Sequence, residues 1–316
     1  MKSLLDARQT GLTIALLYAV FTADVSIAQT NVSPPQGYIG FQRVFDGPPP
    51  EYRNGTHRGH YAFHYEFRLD NTSSELAGTF WSNSIRFHNS TADLPSNHVG
   101  GSQGGYLGVQ VLNETESIAI FSIWWALDAR PGPGAHCVDQ IEAWYNDDRP
   151  FDPPVHTMDD VDASRPLAGG PFRSCRLPIE LEAGDTYQLR VVEVSDANEP
   201  DAPEWWGATL YNVSKDEEQW IGQLQVPGSW GWLEGHAGGF IEHFGPMPDG
   251  CDSIPASSSM FVATTADDGS FTSSISARVY GQCEPSISAR STIECEGGRC
   301  AVEVRREGKP SAPEFQ

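Results

Sequence analysis

The sequence predicts an all-β protein: an antiparallel β-sandwich, jelly-roll/lectin-like in outline, disulfide-reinforced, with a small C-terminal hairpin. Three observations predict it. Short segments of alternating apolar character recur along the chain, clusters of Gly, Pro, Asn and Asp separate them, and no stretch of ten or more residues keeps a helical period. The 31 glycines and 23 prolines in 316 residues agree with that reading.

The strands follow in order. Tyr61 to Phe67 alternates aromatic and polar residues, the period of a half-buried strand. Ser117 to Leu127 is almost continuously apolar, so a central strand covered on both faces is expected there. Gly184-Asp185-Thr186 launches the alternating segment Tyr187 to Val194. Trp205 to Val213, Gln219 to Val226, Gly239 to Phe244, Met260 to Thr265 and Ser274 to Tyr280 continue the pattern. Gly37 to Gln42 and Gly105 to Gln110 echo one another and read as two similar strand starts rather than a repeat. Residues 128 to 178, rich in Pro, Gly and Asp, read as the longest irregular region, its ends tied by Cys137 and Cys175. Near the C-terminus, Ser291 to Cys295 and Cys300 to Val304 are strand-like arms around a four-residue loop, Glu296 to Arg299.

The N-terminus carries Lys2 and Arg8, an apolar run from Leu12 to Phe21 and the small residues Ser26 and Ala28. That order predicts a secretory signal peptide over 1–28, followed by a β-sandwich domain over 29–283. Residues 284–316 then form a linker, the disulfide hairpin and a disordered tail. The apolar run is too short to span a bilayer, so a secreted, extracellular chain without membrane insertion is expected. Six cysteines suit an oxidising compartment, and pairing of neighbours is expected: Cys137 with Cys175, Cys251 with Cys283, Cys295 with Cys300. The chain is acidic, with a net charge of −22, and the expected leader removes two residues of each sign. Nucleic acid and anionic membranes are excluded as natural partners, because their phosphates would be repelled. Asn31, Asn54, Asn71, Asn89, Asn113 and Asn212 each open an Asn-x-Ser/Thr glycosylation acceptor. In a eukaryotic host several would be modified; in a bacterial one they would be polar turn residues.

An ordered set of short segments resembles a known family. It runs from Gly104 to Gln110, through Ile120 to Trp124, Cys175, Gly184 to Val191 and Trp220-Ile221-Gly222, to Gly239 to Phe244, Cys251 and Cys283. Together these are similar to the secreted family catalogued as domain of unknown function 3472, over most of residues 37 to 283. The resemblance implies an extracellular β-sandwich and brings no agreed activity or catalytic residue.

Four groups of residues stand out chemically. Trp230 and Trp232 sit two apart in Gly228-Ser229-Trp230-Gly231-Trp232 and could project together as a ligand platform, or pack. In Trp205-Trp206 successive side chains point to opposite faces, so at least one is core and the other is a candidate binding residue. His57, His60 and His64 have a spacing that could supply imidazole ligands to a metal, against a structural role. Asp147, Asp148, Asp152, Asp159, Asp160 and Asp162 could bind calcium through oxygen ligands, against a solvated acidic loop. No nucleophile elbow, phosphate loop or dinucleotide fingerprint is present. The expected function is binding of an extracellular polysaccharide or other glycan through an aromatic platform. Two alternatives stand beside it. One is a polysaccharide-degrading glycosidase or lyase on the same fold, with a cleft of paired acids. The other is a structural or adhesive surface glycoprotein whose tryptophans are all core.

Overall fold

A computed structural model describes residues 36–45, 51–52, 57–70, 76–88, 104–144, 168–195, 202–243, 257–279, 289–296 and 299–306. The chain divides into a unit of residues 1–30 and one of 31–316, and every described residue lies in the second. The expected leader, the Asp147–Asp162 segment and Asn31, Asn54, Asn71, Asn89, Cys251 and Cys283 fall outside the described residues, as does the side chain of His57.

The first strands are β1 (Gln36–Phe45), β2 (Glu51–Tyr52), β3 (His57–Arg58), β4 (Ala62–Leu69), β5 (Thr79–Arg86), β6 (Gly104–Val111) and β7 (Ser117–Trp124). Then come β8 (Asp128–Pro131), β9 (His136–Trp144), β10 (Ala168–Ile179), β11 (Thr186–Glu193), β12 (Glu204–Asn212) and β13 (Glu217–Val226). The last are β14 (His236–His243), β15 (Ser257–Val262), β16 (Thr265–Ala266), β17 (Phe271–Val279), β18 (Ala289–Glu296) and β19 (Arg299–Arg306). Helix is confined, among the described residues, to 3-10 turns such as Gly228–Trp230.

All pairings are antiparallel. One arm runs β9–β10–β7–β6–β5–β14–β1–β17. The other runs β8–β13–β12–β11–β4 and continues through β15 to β19 and β18. β17 joins the arms, pairing β1 through Ser273–Val279 and β16 through Phe271 and Thr272, while β16 also pairs β4. Seventeen of the nineteen described strands therefore form one continuous sheet, a near-closed barrel rather than the two separate sheets of the expected sandwich. The local alternation that predicted strands is the same in both architectures, and it carries no sign of which strands β17 pairs with.

Alternation decides what fills the interior. β4 turns Phe63, Tyr65, Phe67 and Leu69 inward while His64, Glu66 and Arg68 stay half-exposed. β7 is buried on both faces from Ile118 to Ile123, as its apolar run predicts. One core cluster collects inward residues from both arms, among them Trp81, Trp206, Trp230, Phe121 and Val302.

Two other expectations are corrected. Residues 128–178 contain β8, β9 and most of β10; their Pro, Gly and Asp content hides strands whose apolar period is weak. The C-terminal hairpin is part of the main sheet, because β19 pairs with β15 along six residues and buries Val302 in the core. Its register sets Glu296 opposite Arg299, so both ends of the expected four-residue loop belong to the strands.

The Cys137–Cys175 disulfide forms as expected, directly across the β9–β10 register. Cys175 is wholly buried, and Gly222 of β13 makes room for it: a Cβ at 222 would lie 2.8 Å from the Cys175 Sγ. Cys300 is also disulfide-bonded, and the register places Cys295 opposite it.

Candidate functional site

The outer face of the β8–β13–β12–β11 arm carries the site. Trp206, Ala208 and Leu210 of β12 point inward, so Trp205, Gly207, Thr209 and Tyr211 face outward. Trp206 has no exposed surface, whereas Trp205 is half-exposed; of the two candidates only Trp205 can meet a ligand. The guanidinium of Arg130 covers one face of its ring, 3.9 Å from the centroid, a close cation–π contact.

Beside Trp205 lies a residue that sequence alternation assigns to the core. Leu224 and Val226 of β13 face inward, and strict alternation would turn Trp220 inward too. A register shift intervenes: Ala208 pairs with Gly222 and Thr209 with Trp220, leaving Ile221 as an extra residue. The bulge turns Ile221 into the core, where it is fully buried, and sends Trp220 to the outer face. The Trp220 indole then runs along the sheet between two glycines. A Cβ at Gly207 would lie 2.4 Å from its Cη2, and one at Gly132 would lie 2.8 Å from its Cδ1. Only residues without side chains at 132 and 207 let the ring occupy that position. The ring remains partly exposed.

Polar side chains frame the two indoles. Register places Arg130 opposite Gln223, Gln223 opposite Gly207, and Gln225 between Asp128 and Trp205. At the other end, Glu218 accepts from Thr209 Oγ1 at 3.0 Å and pairs with the Arg190 guanidinium at 3.2 Å. The surface thus combines indole rings with planar amide, guanidinium and carboxylate groups.

The other candidates are placed elsewhere. Trp230 and Trp232 do not project together. Trp230 is 1% exposed, its ring centroid 5.4 Å from that of Phe87, because the 3-10 turn at Gly228–Trp230 folds it inward. Trp232 is half-buried, edge-on to Tyr61, and its Nε1 donates to Glu193 Oε2 at 2.5 Å. On the opposite arm Phe240, Phe80, Tyr106 and Trp124 make successive edge-to-face contacts.

His60 and His64 converge on one residue. The buried His60 ring shares a 2.9 Å hydrogen bond between Nδ1 and Asp267 Oδ2, and His64 Nε2 lies 2.9 Å from the Asp267 carbonyl oxygen. Asp267 Oδ1 also accepts from the Tyr61 backbone N–H at 2.8 Å. This node latches the start of β4 to the β16–β17 turn. Among the described residues no three His, Cys, Asp or Glu side chains gather as a ligand set.

Burial holds the His64 pKa below the ordinary histidine value; the hydrogen bond to the Asp267 carbonyl opposes this and the nearby Arg190 guanidinium adds to it. The folded state therefore takes up this proton less readily than the unfolded chain. Stability contributed above about pH 6.5 is lost as the pH falls below it. Denaturant midpoints measured between about pH 8 and pH 5 should decline, and His64→Gln should flatten that slope. An equal slope in both proteins would rule out His64 as its source.

A cleft of about 580 Å³ opens between the β6–β7 turn, the end of β10 and the β12–β13 hairpin. Glu116, Glu180, Glu217 and Lys215 line it, with Ile118 and Leu210 among its apolar walls. The Lys215 ammonium is held by Glu182 at 2.5 Å.

No protein-family profile matches the chain. No characterised protein matches its sequence significantly. Among the described residues, no helix is long and apolar enough to cross a membrane.

Proposed function

We propose that this is a secreted glycan-binding protein whose ligand stacks on Trp220 and is held by the polar groups around Trp205. One observation carries the reading: a bulge and two bare glycines set an indole on an outer sheet face, beside a second indole capped by Arg130. Aromatic rings offer apolar faces that match the C–H faces of pyranose rings. Planar groups such as those of Gln223, Gln225 and Arg130 suit paired hydroxyls. The expected lectin-like outline enters as an analogy of scaffold, a broad antiparallel sheet presenting side chains on one face.

The test is a polysaccharide panel followed by titration calorimetry on the best ligand. Trp220→Ala should weaken binding by about 2 kcal/mol, the size of an interface hot spot, or roughly thirtyfold. Trp205→Ala should weaken it by less, since its ring shares its face with Arg130. Thermal melts of each variant separate lost contacts from lost fold. Unchanged affinity in a folded Trp220→Ala protein would reject the site.

A second reading, glycan cleavage, draws on the cleft lined by Glu116, Glu180 and Glu217. It requires two carboxylates flanking one bond. Following reducing ends and unsaturated products in the same panel distinguishes it: product that disappears in Glu217→Gln and Glu180→Gln would favour an enzyme.

A further inference from the structure

Two of the six acceptor sequences lie among the described residues, and the fold treats them oppositely. Asn113 sits in the exposed turn between β6 and β7. Its Oδ1 accepts from the Thr115 N–H at 2.9 Å, the Thr115 hydroxyl at 3.1 Å and the Glu116 N–H at 3.0 Å. Those bonds fix the carboxamide oxygen toward the turn and leave Nδ2 outward, where it donates to the exposed Glu116 carboxylate at 2.5 Å. Water replaces such a partner at small cost.

Asn212 ends β12 and is 8% exposed. Its Nδ2 donates to Asp185 Oδ2 at 2.8 Å and its Oδ1 accepts from the Lys215 N–H at 3.2 Å. The hydroxyl of Ser214, the third residue of the same acceptor, accepts from the Thr186 N–H at 3.1 Å. Both polar ends of this acceptor therefore pin the β12–β13 hairpin to the start of β11. A sugar on Nδ2 would crowd its bond to Asp185 at a residue only 8% exposed. Modification there therefore opposes closure of the hairpin.

We propose that Asn113, and not Asn212, carries an N-linked glycan in the folded, exported protein. This does not depend on the glycan-binding reading. In the transfer, Nδ2 of Asn113 bonds to C1 of the reducing-end sugar of a polyprenyl-diphosphate-linked oligosaccharide. The bond from C1 to the diphosphate oxygen breaks, the lipid diphosphate leaves with its electron pair, and one Nδ2 proton passes to a base of the transferase. No oxidation or reduction is involved.

The experiment expresses the full chain behind a host secretion leader in cultured insect cells. The folded, secreted fraction is treated with a peptide N-glycanase in ¹⁸O-water, and its peptides are read by mass spectrometry. The peptide containing Asn113 should gain the label as Asn becomes Asp, and the peptide containing Asn212 should not. Asn113→Gln should remove the mass of one glycan and lower the melting temperature less than Asn212→Gln does, because its turn bonds are exposed. Asn212→Gln should keep the glycan mass and lower the melting temperature. An unlabelled Asn113, a labelled Asn212 in the folded fraction, or loss of glycan mass in Asn212→Gln would overturn the proposal.

Discussion

Replacing Trp230 by alanine is expected to cost about 3–5 kcal/mol of stability, the range for truncating a large buried aromatic side chain. The ring is 1% exposed, tilted against Phe87, and belongs to the core cluster that joins both arms of the sheet. Against a domain stability of about 5–15 kcal/mol, that loss approaches the whole margin. The indole Nε1 has no hydrogen-bond partner, so Trp230→Phe, which keeps one aromatic ring in the core, should cost less than Trp230→Ala. Urea midpoints for the two variants would show this ordering. A folded, fully stable Trp230→Ala protein with reduced glycan affinity would instead make Trp230 part of the binding surface and the present placement wrong. For the same reason a Trp230→Ala/Trp232→Ala double variant tests folding before it tests binding.

Removing the Cys137–Cys175 bridge as a double alanine variant is expected to lower stability by a comparable amount. The bridge spans 38 residues of sequence, for which the chain-entropy description gives about 4 kcal/mol. A second effect adds to it. Cys175 is fully buried beneath Gly222, so alanine there also leaves a void beside the β13 bulge. That bulge is the feature that turns Trp220 outward. Loss of the bridge should therefore loosen the platform as well as the fold, and glycan affinity should fall in protein still folded at low temperature. Guanidinium midpoints of the variant, and of wild type with and without reductant, measure the first effect. An unchanged midpoint would mean that the bridge closes a loop already held by the β9–β10 ladder.

Much of the fold was legible in the residues because strand patterning is local. Tyr61 to Phe67 and Ser117 to Ile123 were placed by periods of two and by continuous apolarity, which depend on nothing beyond a few neighbours. Cys137 and Cys175 paired as their neighbouring order implied. β9 and the start of β10 were not legible, because their neighbours are Pro, Gly and Asp. The barrel was not legible either: β17 joins the arms through partners more than two hundred residues away, such as Gly40.

The candidate site divides along the same line. That one member of Trp205-Trp206 faces out follows from alternation alone, since adjacent side chains on a strand cannot share a face. Which one faces out depends on which side of β12 meets the core. Trp220 is the sharper case. Counting in twos back from Val226 and Leu224 puts it inside, and one extra residue at Ile221 puts it outside. Glycines 132 and 207, distant from Trp220 in sequence, clear its path. The chain's own pattern suffices for strands, for acidity and for the bridge between Cys137 and Cys175. Facing, burial and the meeting of His60 and His64 at Asp267 arise only on packing, because a one-residue register shift reverses every side chain beyond it and carries no local mark.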